Sequence, residues 1–197
     1  MKFRLVILML AAVSAASLGG CGKKGPKAAG DVEFSARMTD VEDGATTRYA
    51  INFTRDSQRL TVLPEGSGGV VIIRHDSGVV WALMPSMTMY LEMPEKPENK
   101  NPLVYEPDEI SRWQKLGEET VDGHPAIKEK LTFRNKGDDE KTIYRWFAKD
   151  IGWPVKAEAA DGSWSTSFTD IHLERQDPSL FEPPRAYMKV VRQPARH

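Results

Sequence analysis

Cysteine is nearly absent. A single residue, Cys21, excludes an intrachain disulfide and a multi-cysteine metal cluster. Charge of either sign is not in excess: 27 Lys and Arg face 28 Asp and Glu, so no basic field gathers nucleic acid. The four histidines, His75, His124, His172 and His197, show no metal-ligand spacing. There is no phosphate-binding loop and no dinucleotide fingerprint. His75, Asp76 and Ser77 place the three residue types of a hydrolase side by side, but in a turn, and Ser77 lacks a nucleophile elbow. The paired acids Glu118 and Glu119 read as a solvated edge. No enzyme, metal or cofactor is expected.

Long apolar runs are confined to the N-terminus. Lys2 and Arg4 precede the run Leu5 to Val13, which is too short to span a bilayer well, and small residues follow. Leu18-Gly19-Gly20-Cys21 resembles the bacterial lipobox, in which the cysteine is lipidated and becomes N-terminal after cleavage. That resemblance implies three acyl chains on Cys21. Each buried methylene contributes ~0.8 kcal/mol, and stable anchoring takes more than one chain. Gly22 stands where an inner-membrane retention signal would have Asp, so the resemblance implies the outer membrane, facing the periplasm. Removal of Lys2 and Arg4 leaves 25 basic against 28 acidic residues, a formal charge of −3. The expected organisation is a signal peptide (1–20), a lipidated tether (21–30), a β-domain (31–190) and a tail (191–197).

From Asp31 the chain alternates. Val32, Phe34, Ala36 and Met38 face one way, as do Tyr49, Ile51 and Phe53 in the strand after the Asp43-Gly44 turn. Further strands are expected around Arg59 to Leu63 and Val70 to Arg74. Pro94 to Pro107 reads as a long loop. A helix is expected over 107–116: Pro107, Asp108 and Glu109 suit its first turn, Gly117 its end, and Ile110, Trp113 and Leu116 a short stripe. Two late hairpins, 127–149 and 153–173, precede a turn that tucks Leu180 and Phe181 into the core.

The stretch Gly78 to Pro94 is the most apolar beyond the N-terminus and holds four of the eight methionines, Met84, Met87, Met89 and Met93. Pro85 forbids one continuous strand, so two are expected, 78–84 and 87–93. Tight pairing gives Val80, Ala82 and Met84 a face with Met87, Met89 and Leu91, and leaves Trp81, Leu83 and Tyr90 on the other. Two apolar faces require two covers. Trp81, Met84, Met87, Met89 and Leu91 are therefore candidates for the wall of an acyl-chain cavity. From these residues alone a Met-rich core pair is the favoured reading, because Met is among the residues most often buried. A turn at Gly137 sets Ile127 opposite Phe147, Glu129 opposite Arg145 and Leu131 opposite Ile143. Glu129 and Arg145 interrupt an apolar face and must pair. They serve as a structural ion pair or as a polar anchor for a ligand head group, with Ile127, Leu131 and Phe147 beside them.

This strand-rich pattern indicates a mainly β fold: a curved antiparallel half-barrel sheet of about nine to ten strands with one or two short helices. The chain resembles the LolA-like superfamily of outer-membrane lipoprotein carriers and receptors, LppX-type lipid-binding lipoproteins and RseB-type sigma-factor regulators. Within it the nearest likeness is to an uncharacterised family of exported bacterial proteins. The resembling stretches are 72–85, 89–94, 116–125, 153–158 and 179–187. Ala186 stands where that family commonly has Gly before Tyr. The resemblance implies a concave face that holds acyl chains, with no catalysis. The alternative is an envelope lipoprotein that senses or scaffolds a protein partner, its sheet filled by its own side chains.

Overall fold

The structure, a computed structural model, describes residues 32–66, 68–95, 110–134 and 140–190. The signal peptide, Cys21, the tether, the loop 96–109 and the tail 191–197 lie outside the described residues. Twelve strands follow in chain order: β1 (Phe34–Glu42), β2 (Ala45–Phe53), β3 (Ser57–Val62), β4 (Val70–Arg74), β5 (Val79–Met84), β6 (Met89–Pro94), β7 (Ile110–Val121), β8 (His124–Arg134), β9 (Glu140–Ala148), β10 (Trp153–Ala159), β11 (Trp164–Leu173) and β12 (Met188–Val190).

All twelve belong to one sheet, in the order β12-β6-β5-β4-β3-β2-β1-β11-β10-β9-β8-β7. Two meanders, β1 to β6 and β7 to β11, join where β1 pairs antiparallel with β11. β12 pairs parallel with β6, so the sheet is mixed. The half-barrel of nine to ten antiparallel strands is corrected on these findings. The sheet is open and not strongly curled, and its edge strands β7 and β12 do not meet.

The two strands beyond the expected ten are β7 and β12. β7 occupies residues expected to be helical. Its pairing with β8 carries irregularities at Ile110/Arg112 and Lys115/Gly117, which break the period-two pattern. Gly117 thus marks a bulge, not a helix end. Among the described residues the helical elements are two 3-10 turns, Pro85–Met87 and Pro178–Phe181.

The turns follow their residues. Asp43-Gly44 (φ 50° and 78°) and Asp122-Gly123 (φ 50° and 83°) supply the paired positive φ of a hairpin whose twist matches its strands. At Pro85, which cannot do this, the chain makes a 3-10 turn and Thr88 takes the positive φ of 52°.

Cross-strand partners share a face. One face therefore runs from Met188 through Met89 and Met84, and from Leu91 and Ala82 through Val71, Leu60, Ile51 and Ala36. Met38 and Phe168 continue it onto β11. It carries most of the main core: Phe34, Met38, Ile51, Phe53, Leu60, Ile73, Val80 and Phe168 are buried. The opposite face of β4 and β5 has a second, smaller core of Val70, Ile72 and Leu83, covered by Leu180, Phe181 and Tyr187 from the segment after β11. The expected tucking of Phe181 is thus observed, with Leu180 half-buried beside it.

Candidate functional site

The ten β-domain candidates fall into separate groups. Met84, Met89 and Leu91 lie half-buried on the main apolar face, where Met84 pairs with Met89 and Leu91 with Ala82. Trp81 points to the opposite face, where its Nε1–H donates to Glu92 Oε2 at 3.0 Å. Met87 lies outside the strands. It sits in the 3-10 turn and is 59 % exposed. These five residues do not line one wall.

The β8–β9 group is assembled in the expected register: Ile127 opposite Phe147, Glu129 opposite Arg145, Leu131 opposite Ile143. Arg145 donates from Nε (2.8 Å) and Nη2 (2.7 Å) to the same oxygen, Glu129 Oε2. Both side chains are buried, Glu129 completely, and Glu129 Oε1 accepts no hydrogen bond. The guanidinium lies over the Phe147 ring, 5.9 Å from its centroid. Leu131 belongs to a third cluster with Phe133, Ile143, Trp113 and Trp164.

Register extends this pair into a polar row that sequence reading missed. Arg145 faces Ala157, Ala157 faces Thr166, and Thr166 faces Asp40. Thr166 Oγ1 donates to Asp40 Oδ1 at 2.6 Å, both residues being buried. Burial pushes the Asp40 carboxyl above the usual carboxylate range, against the lowering effect of the Thr166 hydrogen bond. The signal was present: Asp40 continues the alternation of Phe34, Ala36 and Met38.

Between these groups the apolar face is filled from within. Phe34 stacks on Phe53 at 4.9 Å and meets Phe168 edge-on at 6.1 Å. Phe53 and Trp153 come within 4.3 Å although β1 and β11 separate their strands. A groove of about 590 Å³ lies elsewhere, at the strand ends beneath residues 175–182. Its lining is largely polar or charged, including Arg55, Asp56, Arg74 and Glu182. Arg74 is itself neutralised there by ion pairs with Asp76 and Glu182.

The apolar face does not end where its core ends. At the β6–β12 edge Met188 (61 % exposed) and Val190 (36 %) pair with Met89 and Leu91. Met87 precedes them in the turn. The alternation Met188-Lys189-Val190 could have signalled this strand in the sequence. Among the described residues no group of three or more His, Cys, Asp or Glu could hold a metal ion. Among the described residues the His75 ring is engaged by Gln58 and Glu95, neither of which is a serine.

No family model and no curated protein matches the sequence. Solved structures do share the fold. An uncharacterized conserved protein from Thermus thermophilus superposes with a TM-score of 0.56 at 14 % identity, covering 82 % of this chain and 91 % of that one. Crystalline MucB gives 0.56 at 15 %, over 82 % of this chain and 61 % of MucB. The Pseudomonas aeruginosa MucA/MucB complex also gives 0.56 at 15 %, over 79 % and 56 %. This chain therefore spans about three-fifths of MucB, and at these identities the fold is what the proteins have in common.

Proposed function

We propose that this chain is a non-catalytic protein of the LolA-like superfamily, lipid-anchored through Cys21 on the periplasmic side of the outer membrane, whose sheet holds a protein partner. The observation that carries the reading is the closure of the apolar face by its own rings, above all the 4.3 Å approach of Phe53 to Trp153. Rings that meet across the middle of this face occupy space that an acyl chain bound there would need. The solved complex of MucB with MucA supports the same reading, since a protein that contains this fold is there assembled with another protein. Acyl-chain binding is the second reading. It is favoured by the half-buried Met84, Met89 and Leu91, which could repack around an apolar guest.

One experiment separates the two. Photo-reactive residues are placed in the full chain at Met87, Trp81 or Leu116 in living cells, and the purified protein is weighed by native mass spectrometry. Partner binding gives one identified envelope protein crosslinked from a defined position, with no lipid mass beyond the acyl groups on Cys21. A stoichiometric additional lipid with no crosslinked protein would overturn the proposal in favour of the acyl-chain reading.

A further inference from the structure

We infer that the β12 edge is a strand-addition site. An extended segment of the protein partner, apolar at alternate positions and carrying an acidic flank, pairs with the outer side of Met188–Val190. This rests on the partner-binding reading above and names its surface.

Three features of the edge converge. The first is apolar exposure. Met188 lies beside Met89 and Met84, and Val190 beside Leu91 and Ala82, so the apolar face reaches the rim uncovered. Together with Met87 this forms a methionine-rich strip of the kind that adapts to varied apolar side chains.

The second is open backbone. Met188 N–H donates inward to Thr88 O at 2.9 Å. Backbone polar groups alternate sides along a strand, so Lys189 turns its N–H and C=O outward. A lipid tail cannot satisfy those groups, and covering them with hydrocarbon leaves them unpaired at high cost. A peptide strand satisfies them and presents alternate side chains to the strip in one geometry.

The third is contrast with the other edge. β7 carries two irregularities and a charged rim. There Glu118 pairs with Lys115 and Lys149, and Glu119 with Lys128. Bulges and charges are how sheet edges refuse a further strand. β12 carries no bulge, and its one charge, Lys189, is paired to Glu92 on the face away from the methionines. From Pro183 to Val190 the chain has two basic residues, Arg185 and Lys189, and no acidic one. Lys189 is held by Glu92 at 2.6 Å, whereas exposed Arg185 has no ion pair among the described residues and is free to meet an acidic flank.

The test uses the full chain in detergent and a fluorescein-labelled peptide of alternating valine and threonine bordered by glutamates, read by fluorescence polarisation. Saturable binding is expected. Met188→Glu, which charges the strip, and Lys189→Pro, which removes the outward N–H, should each weaken it by about tenfold or more. Methylating alternate amide nitrogens of the peptide should do the same while keeping its apolar surface. Both substituted positions are exposed, and unchanged thermal melting confirms the fold. Equal binding of the methylated peptide, or indifference to both variants, would overturn the inference. Absence of peptide binding while a partner still crosslinks at Trp81 or Leu116 would overturn this edge alone. Absence of both would remove the partner-binding reading as well.

Discussion

Replacing Arg145 with Met tests the buried polar pair directly. Glu129 is inaccessible and the Arg145 side chain is 8 % exposed, so water cannot take over a lost partner without rearrangement. The two donor contacts, 2.7 and 2.8 Å, both fall on Glu129 Oε2, and Oε1 is already without a hydrogen bond. Arg145→Met would strand a carboxylate in an apolar face. Removing one partner of a buried pair typically costs ~3–5 kcal/mol. For a domain of this size that corresponds to roughly 6–20 °C in melting temperature, at about 2–4 °C per kcal/mol. Replacing both partners with apolar residues of similar volume, Glu129→Leu with Arg145→Met, should restore most of the loss or exceed the parent stability, because the desolvation cost disappears with the charges. Urea unfolding followed by tryptophan fluorescence measures all three proteins, and the cycle isolates the pair. A loss below about 1 kcal/mol for Arg145→Met would refute the reasoning, because it would mean that the pair behaves as a solvated surface bridge.

Three further outcomes are expected. Trp153→Ala should cost about 3–5 kcal/mol and open a hollow against Phe53, visible as new binding of a hydrophobic dye; an unchanged dye signal would argue against the filled face. Asp40→Asn should change the pH dependence of stability. Burial raises the native carboxyl above its ordinary value of 3.8, so the native state keeps its proton to higher pH than the unfolded chain. Its contribution is greatest below 3.8 and is lost as pH rises through the raised native value. The Asn variant, which retains an acceptor for Thr166, should flatten that slope in urea midpoints taken from about pH 3 to about pH 7. Phe181→Ala should cost about 3–5 kcal/mol as an upper range, and limited proteolysis should then cut the segment after β11 before the sheet unfolds.

Regular alternation made much of the sheet legible. β1, β2, β5 and the β8–β9 hairpin could be read because apolar residues alternate along each, and the turn expected at Gly137 from the sequence gives the observed register of Glu129 with Arg145. β7 was hidden for the opposite reason. Two bulges shift its side chains between faces, and the spacing of Ile110, Trp113 and Leu116 then imitates a helical stripe. The β1–β11 junction was not legible because it joins residues more than a hundred positions apart, and local pattern carries no information about such pairs. The candidate site suffered from a related limit. Periodicity places Met84 and Trp81 on opposite faces, but only the sheet order shows that the Met84 face runs out to a bare edge while the Trp81 face is covered.

That cover also explains how so short a strand as β12 holds its place. Three residues of parallel ladder are a weak anchor by themselves. The segment before it is fixed by stronger means: Phe181 is buried against Ile72 and its neighbours, Arg59 donates to Leu180 O at 3.0 Å, Arg74 reaches Phe181 O, and the Asp177 side chain accepts from Ser179 N–H. The strap is therefore ordered by contacts on the face opposite the methionines, and β12 inherits that order. An incoming strand then meets a fixed template and loses only its own freedom on binding, the circumstance in which a small apolar contact can still give useful affinity. The outer-face core and the exposed edge are in this sense one device, the first positioning what the second presents.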